Sequence, residues 1–109
     1  MLRAANGCWE RLPSAIGTPR PFWPGFDTTG DCGGQTGGGC LLVDREKGAY
    51  YARQLAAALR SGRKSIAIET WNEFDEGTGV GATVEFGRTY IDLTRKYADA
   101  FHAGRRTLA

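Results

Sequence analysis

The sequence predicts an α/β fold in which parallel strands carry packed helices. Two helical stripes, a short apolar run between them and an aromatic-rich stretch upstream alternate as strand, long loop, helix, strand, loop, helix. Alternation of this kind favours right-handed βαβ crossovers and a parallel sheet, whose functional loops lie beyond the carboxyl ends of the strands.

Residues 1–20 form a poorly defined N-terminal segment, and the βα units are expected over 21–109. "RPFWPGFD" is the first candidate strand, weakened by Pro21 and Pro24, which lack backbone donors. The glycine-rich stretch from Thr28 to Cys40 reads as a surface loop, because it has no Gly-Lys-Ser/Thr ending and opens no helix. From Lys47 to Arg60, Tyr51, Leu55 and Leu59 recur every four residues among alanines, a helix with one inward face. Ile66, Ala67 and Ile68 form a continuous apolar run, the pattern of a strand buried on both faces. The last helix is expected from Val84 onward. Phe86, Tyr90, Leu93, Tyr97 and Phe101 line one side, Thr83 caps its start and Gly104 follows its end.

Two or three strands with two helices leave sheet edges uncovered. Apolar surface of Ile66, Ile68, Tyr90 and Tyr97 is therefore expected to remain exposed, and the chain to be marginal or self-associating.

With 41% hydrophobic and 24% charged residues among 109, the composition is that of a soluble globular unit. A formal charge of +2, with basic residues scattered along the chain, argues against nucleic-acid binding. No apolar run is long enough to span a bilayer, and "MLRAANGCWERLPS" lacks the apolar middle of a secretory signal. The compartment is left undetermined. Cys8, Cys32, Cys40 and His102 lack the close spacing of a zinc site, so no metal and no cofactor is expected. Cys32 and Cys40 bracket a loop flexible enough for a disulfide in an oxidising compartment, or stand as free thiols.

"ETWNEFDEG", Glu69 to Gly77, is the richest stretch chemically. Glu73 and Glu76 lie three residues apart just past a strand, so their carboxyls can project toward one volume. In a partly dehydrated pocket the two could not both ionise cheaply, and the pair would supply an acid and a base or nucleophile at one pH. Glycoside hydrolysis needs that division of labour. Trp71 and Phe74 offer flat faces to pyranose rings and Asn72 a hydrogen-bonding amide. Two other readings stay open on spacing alone: acidic residues complementing a helix start, and a calcium site built on Asp75 and Glu76, although the spacing is not that of an EF-hand.

"WPGFD", "LLVDREKGAYYARQLAAAL", "IAIETWNEFDEGT" and "EFGRTYIDLTRKYADAF", in this order, resemble the last part of bacterial (β/α)8-barrel proteins related to glycoside hydrolase family 99, the endo-α-mannosidase and endomannanase group. The similarity covers roughly residues 22–102, and its most specific element is Asn-Glu-Phe-Asp-Glu-Gly-Thr. It implies a partial (β/α)8 (TIM) barrel, the last two or so βα units. It further implies a fragment of an enzyme cleaving glycosidic bonds with retention, the 109-residue chain by itself lacking turnover. Carried over by position, Glu76 would be the general acid/base and Glu73 would assist the substrate's 2-hydroxyl, with Trp23, Asp27, Trp71, Asn72 and Phe74 as sugar contacts. Phe74 and Asp75 stand where the family usually has Trp and His, and "GVGA" replaces its Ile-Glu-Pro, so mannoside specificity does not carry over. The implied partners are a glycan or oligosaccharide and the missing part of the barrel or a second copy, with no nucleic acid and no membrane. The alternatives are a non-catalytic or vestigial carbohydrate-binding module and a structural oligomer.

Overall fold

A computed structural model describes residues 21–29 and 42–108. Its elements are β1 (Pro21–Phe22), β2 (Phe26–Asp27), β3 (Leu42–Val43), a 3-10 turn (Glu46–Gly48), α1 (Ala49–Arg60), β4 (Ala67–Ile68) and α2 (Thr89–His102). The expectations for the N-terminal segment and the three cysteines lie outside the described residues.

The helices carry the core. On α1, Tyr51, Leu55, Ala58 and Leu59 fall on one face and are buried, matching the stripe read from sequence. On α2, Tyr90, Tyr97 and Ala100 do the same, and Phe22 and Val80 complete the cluster. Each large apolar side chain fully buried in this way contributes about 1.5 to 3 kcal/mol relative to exposure. Thr94 ties the helices together. Its hydroxyl donates to the Tyr90 carbonyl at 2.7 Å, which leaves it to accept from the Tyr51 hydroxyl at 2.8 Å. Burial raises the pKa of the Tyr51 phenol, an effect partly offset by this bond.

Tyr90 and Tyr97, expected to expose apolar surface, are thus buried between the helices. The end of α2 forms as the sequence indicates: Arg105 N–H donates to the Ala100 carbonyl and Gly104 N–H to that of Phe101, the paired closure of a Schellman motif. Its start does not. Residues before Thr89 form a turn closed by Thr83 and Gly87, in which the Thr83 hydroxyl accepts from Phe86 N–H at 2.9 Å, so the cap serves this turn and not the helix. Val84, expected at the helix start, projects fully into solvent.

The fold class requires correction. The expected parallel sheet is reduced to a two-residue ladder, Pro21 with Ala67 and Phe22 with Ile68. The other strand pair, Phe26 with Val43 and Asp27 with Leu42, is antiparallel and forms a separate sheet. The described residues therefore do not form a partial (β/α)8 barrel with successive parallel βα units. The physical reason lies in "RPFWPGFD": Pro24 has no donor for a ladder, and beyond it the chain leaves β4 to pair with β3. Nor is β4 buried on both faces, since Ile68 is 38% exposed and, among the described residues, the strand pairs only with β1. Among the described residues, no helix is long and apolar enough to cross a membrane.

Glu46, Lys47 and Gly48 enter α1 with positive φ angles of 50°, 55° and 101°. A side chain at Gly48 would be strained by that backbone and would bring its Cβ to 3.1 Å from Leu93 Cδ1 on α2. Gly48→Ala is expected to lower unfolding stability by more than about 1 kcal/mol, read by chemical denaturation, whereas Lys47→Gly should be neutral or stabilising.

Candidate functional site

The acidic stretch forms a closed loop between β4 and α2. At its neck Thr70 N–H donates to the Thr78 carbonyl at 3.2 Å, Val80 N–H returns a bond to the Thr70 carbonyl at 2.9 Å, and the two threonine hydroxyls meet at 2.9 Å. At its tip Gly77 N–H donates to Phe74 and Thr78 N–H to Glu73, both at 3.2 Å, so Glu73 through Thr78 makes one tight turn. The Glu69–Thr70 peptide bond is cis. Asp27 N–H donates to the Glu76 carbonyl at 2.8 Å and joins the loop to β2. The approach is close: a Cβ at Gly77 would sit 3.1 Å from both Asp27 Cβ and Asp27 N.

Arg45 holds this loop from the other side. Its Nη2 donates to the Gly77 carbonyl at 2.9 Å and the Gly79 carbonyl at 3.0 Å. Its guanidinium lies over the rings of Phe86 and Tyr90, 4.3 Å and 4.4 Å from their centroids, and those rings meet edge to face at 88°. The Arg45 stem passes over Gly25, where a Cβ would lie 2.5 Å from Arg45 Cγ. Burial raises the Tyr90 phenol pKa, and the Arg45 charge works in the opposite direction.

Seven positions were expected at the site. Glu73, Glu76, Trp71, Asn72 and Phe74 all fall on this one loop, and Asp27 is bonded to it through its backbone. Trp23 is half-buried against Phe26, with ring centroids 5.9 Å apart. The rings of Trp71 and Phe74 are 63% and 67% exposed. Glu73 and Glu76 are exposed too, and neither carboxylate bonds to a described residue. The dehydrated pocket that would drive their protonation apart is not supplied by the described residues. Beside the loop, Phe26, Asp27, Phe74, Phe86, Lys47 and Glu85 contribute to an open cleft of about 650 Å³. It offers aromatic faces together with both signs of charge. Among the described residues no group of three or more metal-ligating side chains occurs.

Sequence reasoning missed Arg45, Thr70 and Thr78. A threonine on either side of the acidic segment from Trp71 to Gly77 was a usable signal for a closed neck; Arg45, remote in sequence from the carbonyls and rings it holds, gave none.

Two outcomes are expected. Arg45→Met removes two charge-assisted bonds to carbonyls and the ring contacts, so stability should fall by about 2 to 4 kcal/mol, and amide exchange at Thr78 and Val80 should accelerate more than in α1. The Thr29 hydroxyl and N–H both donate to Asp27 Oδ1, at 2.5 Å and 2.9 Å, and these bonds lower the Asp27 pKa below its ordinary 3.8. A depressed folded pKa gives a contribution present above 3.8 and lost as pH falls through the folded value. Thr29→Val should therefore move the Asp27 carboxyl titration upward, as followed by carbon NMR.

No curated protein and no solved structure matches the chain. A family described as a domain of unknown function, DUF5010, matches residues 17–108. That span is more than half of the sequence, and the chain belongs to the DUF5010 family.

Proposed function

We propose that the loop from Glu69 to Thr78 is the glycan-facing site of a glycoside hydrolase, with Glu73 and Glu76 as its paired carboxyls. The observation that supports this most is the tight turn that carries both glutamates on the same loop as the exposed rings of Trp71 and Phe74. Exposed aromatic faces beside carboxylates suit a pyranose, whose C–H face stacks while its hydroxyls find acceptors. The resemblance of Asn-Glu-Phe-Asp-Glu-Gly-Thr to the family 99 motif assigns the roles: Glu76 protonates the leaving oxygen, and Glu73 draws the proton from the substrate's 2-hydroxyl as it displaces the leaving group. Water then opens the resulting intermediate with retention of configuration, Glu76 now acting as base.

A non-catalytic carbohydrate-binding role is the second reading, and the exposure of both carboxylates favours it. Binding requires the rings and polar partners; turnover also requires water to be excluded around the glutamates.

Substitution separates the two. In a protein that turns over glycosides, Glu76→Gln should lower cleavage of natural glycans by about 100-fold or more while sparing part of the activity on an activated aryl glycoside. Glu73→Gln should lower both, with a larger loss in kcat than in affinity. Oligosaccharide binding that quenches Trp71 fluorescence without turnover, and that survives both substitutions, would establish the binding role instead.

A further inference from the structure

The opposite end of the helix pair carries a feature that the glycan site does not use. The turns that follow α1 and α2 lie side by side and line a cleft of about 430 Å³, to which Arg63, Lys64, His102, Arg105 and Arg106 all contribute and, among the described residues, no acidic side chain does. Lys64, Arg105 and Arg106 form no ion pair with a described residue, while the ion pairs elsewhere engage Arg53, Arg88 and Arg95. The Arg106 guanidinium is seated over Gly62: a Cβ there would stand 2.9 Å from Arg106 Nη2 and 3.1 Å from Cζ. A cation near a helix C-terminus complements the macrodipole. That effect explains a basic residue in each last turn, but not a concavity that also draws in Lys64, Arg105 and Arg106 from two turns, none of them in an ion pair with a described residue.

We propose that this cleft binds a compact tetrahedral oxyanion, a phosphate or sulfate group carried as a monoester. Guanidinium forks match the paired oxygens of such a group, and several cations in one concavity suit a localised dianion. A nucleic-acid strand would call for a stripe of cations with interleaved stacking rings, whereas the charges here converge on one cleft. The site is remote from the glutamate loop, since the 14 residues of α2 separate them by about 20 Å. It stands or falls independently of the proposed hydrolase activity.

The test is calorimetric titration of the full chain with inorganic phosphate, inorganic sulfate and a sugar phosphate, against sodium chloride at matched ionic strength. Both oxyanions should bind where chloride does not, and the sugar phosphate should bind at least as tightly as inorganic phosphate. Arg105→Gln with Arg106→Gln should weaken phosphate by about tenfold or more, and Lys64→Gln, on the other turn, should weaken it independently. Arg53→Gln, remote from the cleft, should leave it unchanged, with circular dichroism confirming that every variant keeps its helices. Heats no different from chloride, or phosphate affinity equal in all variants, would overturn the proposal. A short oligonucleotide bound 100-fold more tightly than the sugar phosphate would likewise overturn the assignment to a compact oxyanion.

Discussion

The Arg45 guanidinium is the contact on which the rest of the arrangement depends. It lies between the acidic loop and the start of α2 and touches both, while its stem passes over Gly25 just before β2. Two carbonyls of the loop point to the same nitrogen, Nη2, and without it both would need water in a half-buried setting. Its Nη1 is buried and has no hydrogen-bond acceptor among the described residues, although the Tyr90 hydroxyl is near enough to be influenced by the Arg45 charge. The ring faces of Phe86 and Tyr90 offset part of that cost, because a guanidinium sheds its hydration more readily than an ammonium and stacks on aromatic faces. A lysine could not reproduce this geometry.

The consequence is a loop defined by its own bonds and not by a large sheet. Among the described residues there are four strands of two residues each, split between two sheets, and these supply little cohesion. The threonine pair at the neck, Arg45 along one side and Asp27 along the other fix the path from Glu69 to Val80. Glu73, Glu76, Trp71 and Phe74, carried on that path, are all exposed. The same lack of sheet leaves Ile68, Trp71, Val80 and Ile91 around a shallow apolar hollow of about 380 Å³ on the free side of β4.

What was legible in the sequence follows from the range of the interactions. The α1 stripe and the end of α2 were readable because helix periodicity and Schellman closure are local, and Tyr51, Leu55 and Gly104 carry them within a turn or two. The start of α2 misled, because Thr83 does accept the Phe86 N–H, but in a turn that stops short of the helix. The sheet misled for a different reason. Apolar character at Ile66 to Ile68 indicates a strand without saying how many neighbours it has, and the departure of the chain after Pro24 is a tertiary event. The crowding of the acidic stretch marked the loop as the place to look, yet its lock, Arg45, is one cation among fourteen Lys and Arg residues. The basic cleft escaped notice similarly: Arg63 and Lys64 lie far in sequence from Arg105 and Arg106, and only the packing of the two helices brings them together.

The glutamate loop is a fixed structural unit, as ordered as the helices that flank it. Backbone nitrogen-15 relaxation over residues 69–81 measures this directly. Order parameters for Glu73 to Gly77 are expected to equal those within α1 and α2, about 0.85. Values below about 0.6 across that turn, with α1 and α2 still rigid, would show that Arg45 and the threonine pair do not hold the loop, and would contradict it.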